Sequence, residues 1–425
     1  AKPDSSMRTS VHPPPPTDAL SAATEIESPA SISTLELVTM VAALMALNAL
    51  AIDIMLPALG AIATDLGVAG NDGQLVVVAY ILGFGAPQLV WGPLSDRFGR
   101  RPVLFVSLVG YTLAGLACLA TQSFVQLLVA RFVHGVFASG CRVVAVAVVR
   151  DLFAGRGMAR IMSLVMTIFM VIPILAPMLG AGVLLIAPWR WCFGVLALAG
   201  FGMLGWTYLR LEETVKERDR GELNLMGTVR AYLAVLKSRV TFGYMVASGV
   251  VFGALFAFIS ASEQVFREVF GKGDTFVFWF AGVALALSAA NFTNSRLVER
   301  FGMRRLSHVA LVGFIAVSLT LCALMFLVGE ELWIFFPLFA VAFALFGLIG
   351  ANFNALAMEP LGKIAGTASA AYGFATTTVS GVLGGLIGRA YDGTTAPLLL
   401  GFATLGVISL IAVAITERGR LFASQ

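Results

Sequence analysis

Apolar runs of about 20 residues, divided by short polar breaks, recur along the chain from Glu36 to Thr416. A run of that length crosses a ~30 Å hydrocarbon layer as an α-helix. The pattern therefore predicts twelve spanning helices, over 36–64, 74–95, 102–121, 124–148, 158–186, 190–211, 240–266, 275–296, 305–328, 332–358, 363–390 and 396–416. The expected fold class is all-α and integral to a membrane. Composition agrees: of 425 residues only 12% are charged and 59% are hydrophobic, whereas roughly a quarter of a soluble domain is charged.

The 28 Lys and Arg exceed the 24 Asp and Glu, which by itself would allow a nucleic-acid partner. Their positions exclude it, because the bases sit in the short loops after even-numbered spans. Arg97, Arg100 and Arg101 follow span two, Arg150, Arg156 and Arg160 span four, and Arg300, Arg304 and Arg305 span eight. Lys216, Arg218, Arg220, Arg230, Lys237 and Arg239 follow span six. Short basic loops stay on the cytoplasmic side, so both termini are expected in the cytosol. Arg190, Arg267, Lys272 and Arg389 are exceptions on the outer side. Residues 1–35, with Pro13 to Pro16 in a row and no apolar run of signal-peptide length, are expected to form a disordered cytosolic tail. The stretch 212–239 is expected as a cytoplasmic linker and 417–425 as a second cytosolic tail.

That linker divides the spans into two sets of six, 36–211 and 240–416, and the sets resemble each other. Asp96-Arg97-Phe98-Gly99-Arg100-Arg101 after span two recurs as Glu299-Arg300-Phe301-Gly302-Met303-Arg304 after span eight, an offset of 203 positions. The repeat is parallel, the arrangement expected of two six-helix bundles related by an axis along the membrane normal, with a solute held at mid-depth between them.

Several residues carry candidate chemistry. Asp53 lies deep within span one, where an ionisable group is costly and marks an ion or solute path. Pro57, which has no N–H, deprives the Asp53 carbonyl of its helical partner and invites a kink. On span four, Arg131, His134, Ala138 and Arg142 share one stripe at helical spacing, and Arg131 reaches a depth similar to that of Asp53, facing it or a shared watery cavity. His134 reads either as a proton-transfer group or as a hydrogen-bonded packing residue. Pro173, Pro177 and Gly180 give span five kink points and a close-packing surface, mirrored in span eleven by Gly381, Gly384 and Gly385. At the repeat offset Asp53 corresponds to Phe256 and Arg131 to Ile334, so the charged pair belongs to one half. The second half offers Phe252, Phe256, Phe258, Tyr372, Phe374 and the amides Asn291, Asn294, Asn352 and Asn354. A cavity drawn from Asn48, Ala49, His134, Phe256, Asn352 and Tyr372 suits small amphipathic organic solutes. Glu263 is expected at the membrane interface. Gly92, Asp96, Arg97, Gly99, Arg100 and Arg101 place one acid and three bases at a helix end, where they can pair with a neighbouring helix terminus. No HExxH, GxSxG or Walker string is present, so an enzyme is not expected. The four cysteines stand singly, and neither a metal site nor a cofactor is expected.

The Gly92 to Arg101 string resembles motif A of the major facilitator superfamily, which implies a cytoplasmic gate stabilising the outward-facing state. Pro173 to Gly182 resembles the antiporter motif C, with Ala176 and Ala181 where the usual pattern has Gly. Together with Asp53 to Pro57, Arg131 to Gly135, Val149 to Phe153, Trp189 to Trp191 and Ala365 to Ala370, these strings resemble the bicyclomycin/chloramphenicol resistance group of drug:proton antiporters over nearly the whole chain. The resemblance implies the major facilitator fold and a monomer in the bacterial inner membrane. It also implies export of phenicol-like or other antibiotics driven by the proton gradient, with Asp53 as coupling acid and Arg131 as its partner. The alternative is a proton-coupled metabolite exporter or importer of the same fold.

Overall fold

The structure is a computed structural model that describes residues 32–153, 155–215 and 225–422. Expectations for the N-terminal tail to residue 31, for 216–224 of the linker and for 423–425 lie outside the described residues. Among the described residues the regular structure is helical. Span one is α1 (Thr34–Asp53) and α2 (Leu59–Asp65), joined through a 3-10 turn at Leu56–Ala58. Span two is α3 (Leu75–Gly85) and α4 (Gln88–Phe98), followed by α5 (Arg100–Ala120) and α6 (Phe124–Leu152). Span five comprises α7 (Gly155–Phe169) and α8 (Ile172–Ile186), and span six is α9 (Trp191–Arg210). A connecting helix α10 (Leu225–Lys237) leads into α11 (Arg239–Gln264), α12 (Phe276–Phe301), α13 (Met303–Val328), α14 (Leu332–Met358), α15 (Ala365–Arg389) and α16 (Ala396–Thr416).

Twelve spans result when the bent pair in span two is taken as one. The sequence pattern gives 74–95 as a single helix; the structure bends it by 43°. Pro87 lies at the break, where its missing N–H leaves the Gly83 carbonyl without a donor. The predicted kink in span one is also present, since α1 stops at Asp53 and Pro57 falls in the 3-10 turn. In span five, α7 ends at Phe169 and Pro173 opens α8, where a missing N–H is tolerated, while Pro177 is inside the helix.

The two bundles pack by the same rules. In the first, α5 lies on α6 and α9, and α3 on α6; in the second, α11 lies on α15 and α16, and α13 on α14 and α16. Between halves, α3 and α4 pack on α15, and α8 packs on α12. These two contacts are each other's image, because exchanging the halves carries span two to span eight and span eleven to span five. The turn glycines repeat as well: Gly99 has φ 96° and ψ 156°, Gly302 has φ 77° and ψ 154°. Positive φ strains any residue with a Cβ, which accounts for glycine at both positions.

Candidate functional site

Asp53 is the last residue of α1 and is 4% exposed. Among the described residues its carboxylate has neither a hydrogen bond nor an ion pair. Span five closes on it: a Cβ on Gly180 would collide with the Ile54 carbonyl and stand 3.1 Å from the Pro57 ring. The second half repeats the contact, since a Cβ on Gly384 would meet the Phe256 Cβ and the Ala257 nitrogen, each at 2.7 Å. The small residues thus bring spans one and five, and seven and eleven, into backbone contact where the first half carries its acid and the second carries Phe256.

Arg131 does not pair with Asp53. Fully buried, it donates Nε to the Val76 carbonyl at 3.1 Å and Nη2 to the Ala51 carbonyl at 3.0 Å. Its guanidinium lies 4.3 Å over the Tyr80 ring and 5.6 Å from that of Phe193. Its depth matches that of Asp53, as expected, but the interaction differs. The base bonds to carbonyls of α1 and α3 and so holds three spans together.

His134 is fully buried within the first bundle. Its ring is 4.2 Å from Tyr111 and 5.5 Å from Tyr80, and Nδ1 faces Arg131 Nη1 at 3.4 Å. Arg131 can only donate there, so Nδ1 accepts and the proton resides on Nε2. Tyr80 in turn donates to Asn48 Oδ1 at 3.1 Å, and Tyr111 to the Leu47 carbonyl at 3.2 Å. Asn48 is half-buried and Ala49 buried. In the second half Asn352 donates to Asn294 Oδ1 at 2.8 Å, joining α14 to α12, and Tyr372 donates to the buried Ser248 at 2.7 Å, joining α15 to α11. Phe256 is half-buried beside Gly384.

The gate string forms a compact polar cluster. Arg100 pairs with Asp96 at 2.5 Å and Asp151 at 2.8 Å and donates to Ser95 at 2.6 Å. Glu213, just past α9, accepts the backbone N–H groups of Arg100 and Arg101 at 2.9 and 3.1 Å, a carboxylate at a helix N-terminus. Arg101 donates to the Tyr208 carbonyl at 2.7 Å. Arg97 is exposed, and a Cβ on Gly92 would meet open space. The expected pairing with a neighbouring helix terminus is present at Asp151, the end of α6, and every one of these partners belongs to the first half. The second copy is looser: Arg304 pairs with Glu417 at 3.1 Å and Glu359 at 3.2 Å.

The halves are tied by Gln88 Nε2, which donates to Thr377 Oγ1 at 3.3 Å in the middle of span eleven, and by a larger set of polar contacts at the outer ends. Asn71 Nδ2 donates to the carbonyls of Tyr391 at 2.7 Å and Arg389 at 3.2 Å, and Asn71 Oδ1 accepts from Gln264 at 2.8 Å. Gln74 donates to Gln264 at 3.0 Å, and Arg389 pairs with Asp72 at 3.0 Å. Among the described residues Asp72–Arg389 is the ion pair that joins the halves. The side chains Asn71, Gln74 and Gln264 were absent from the predicted site, since neutral amides near loop ends are common. Arg389 did leave a signal, as a base in the set of loops expected to be poor in bases. The other exceptions follow the same logic: Arg190 pairs with Asp65 at 2.6 Å, and Arg267 with Glu268 at 3.0 Å and Glu263 at 3.4 Å.

Comparison with known proteins places this architecture. The profile of the Major Facilitator Superfamily matches residues 41–385. A bicyclomycin resistance protein homolog of Haemophilus influenzae is 30% identical over 85% of this chain and 91% of its own length. The multidrug resistance protein MdtL of Klebsiella pneumoniae is 28% identical over 66% of this chain and 71% of its own. The fold is shared with a D-xylose–proton symporter, at a TM-score of 0.67 and 14% identity over 89% of this chain and 95% of that one. Two six-span bundles, the repeated gate turn and these likenesses agree: the chain is a transporter of the major facilitator superfamily, in the bicyclomycin/chloramphenicol resistance group, and not an enzyme.

Proposed function

We propose that this transporter exports small amphipathic organic compounds, antibiotics among them, from the bacterial cytosol across the inner membrane, driven by the proton gradient without a cofactor. The observation that carries the reading is Asp53, a buried carboxyl at the break of span one with no partner among the described residues. A carboxyl so placed is free to exchange a proton with water or to meet a solute, and the two events exclude one another. The ties of Asn71 to Gln264 and to the end of span eleven support a reading in which the periplasmic face is held closed and the solute loads from the cytosol. The resistance proteins that the chain resembles support a drug as cargo. Both ends of a working monomer face the cytosol in this reading.

Reconstitution tests it. In proteoliposomes, an imposed pH gradient should drive accumulation of a transported phenicol or other aromatic antibiotic by the wild-type protein. Asp53→Asn should abolish gradient-driven accumulation while retaining exchange of labelled for unlabelled solute. Accumulation by Asp53→Asn equal to wild type would refute the coupling role, and uptake in the opposite sense would make the protein an importer.

A further inference from the structure

Arg142 stands out among the ionisable groups of the spanning helices. It lies eleven residues beyond Arg131 on the same stripe of α6, about 16 Å further toward the cytosol at 1.5 Å per residue. Arg131 is fully buried and bonded to two carbonyls, whereas Arg142 is half-buried and, among the described residues, has no hydrogen bond and no ion pair. Its one named contact is the face of Phe84, 5.8 Å from guanidinium carbon to ring centre. Phe84 continues into Tyr80, stacked at 6.3 Å, and Tyr80 into Asn48. The repeat offers no counterpart, because the matching position in the second half is Leu345.

A guanidinium keeps its charge in any setting and carries five N–H donors. Placed at membrane depth, such a group is expensive and normally bonds to carbonyls or an acid, as Arg131 does. Arg142 does neither, so its donors face something outside the chain. The planar fork matches a carboxylate or sulfonate in bidentate fashion, and the adjoining Phe84 face suits an aromatic body.

We propose that Arg142 is the subsite for the anionic group of the transported solute, and that the cargo includes aromatic organic monoanions held between the Arg142 guanidinium and the Phe84 ring. This rests on the efflux reading for its physiological meaning, and it narrows the substrate class. The axial separation keeps the anion site apart from Asp53, so that loading at Arg142 from the cytosolic side and proton exchange at Asp53 are distinct events.

The test is equilibrium binding to the purified full chain without a proton gradient, so a failure of proton coupling leaves it intact. Aromatic carboxylates are each compared with their own primary amide, such as 1-naphthoate with 1-naphthamide and 4-phenylbenzoate with 4-phenylbenzamide. Charge-assisted hydrogen bonds predict that wild type binds at least one acid about tenfold tighter than its amide. Arg142→Gln should reduce that preference to within about twofold, and a thermal-unfolding midpoint close to that of wild type reports that the variant is folded. If Arg142→Gln does not fold, Arg142→Lys must retain the preference in weakened form, because a point charge replaces the fork. No acid preference in wild type, a preference that persists in Arg142→Gln, or one undiminished in Arg142→Lys overturns the proposal.

Discussion

Arg131 donates to the Ala51 carbonyl, two residues before Asp53, at 3.0 Å. The acid and the base thus share a depth without sharing a bond. The base fixes the last turn of α1, and the acid is left unpaired at its end.

Arg131→Ala should therefore act first on stability. It strands the Ala51 carbonyl at the break of α1, takes the second donor from the Val76 carbonyl, which keeps its bond within α3, and opens a void beside Tyr80; a stranded buried group costs about 1–3 kcal/mol. Thermal unfolding in detergent should show a loss of at least about 2 kcal/mol, and Arg131→Lys should recover only part of it, since one ammonium cannot reproduce the paired donors. A fully stable Arg131→Ala protein that loses only pH-driven transport would restore the counter-ion role to Arg131.

Gly180 and Gly182 are two residues apart on α8, yet a Cβ at Gly180 would strike the Ile54 backbone and a Cβ at Gly182 would meet open space. Gly180→Ala should cost about 1–3 kcal/mol of stability through overpacking and slow transport, because span one bends at that contact. Gly182→Ala should be near neutral in both measurements. Equal effects at the two sites would refute the close contact between spans one and five.

Asn71 joins span two to the end of span eleven and to Gln264 on span seven. Asn71→Ala should loosen the outer face, read as a larger long-distance population between spin labels on the 66–70 and 392–395 loops. Asp72→Arg should do the same, and adding Arg389→Asp should reverse it. The ion pair is exposed and screened, so high salt should weaken the effect at Asp72 while leaving that at Asn71. Unchanged distances in both Asn71→Ala and Asp72→Arg would mean that other contacts keep the outer face closed.

Much of the fold was legible from the sequence because its causes are local. Span length follows from bilayer thickness, and the repeat from the Gly99 and Gly302 turns. Pro57 announced the break after Asp53 through its missing N–H, and Gly180 announced a close approach through its missing side chain. Pro87 carried the same signal, but the run around it is long and apolar enough to read as one helix, which hid it. The polar contacts between elements were less legible. Arg389 was marked by its place in an outer loop, while Asn71, Gln74 and Gln264 carried no such mark.

The sequence by itself determined the twelve spans, the two related halves, and the restriction of Asp53 and its neighbouring bases to one half, since periodicity and charge placement are properties of single helices. Only the tertiary structure decided that Arg131 bonds to carbonyls, that His134 is enclosed between tyrosines, and that Arg142 has no hydrogen bond or ion pair among the described residues. On the stripe of α6 all three residues look alike. What separates them is which backbone of a neighbouring span lies within about 3 Å of their nitrogens, and that depends on how the helices cross.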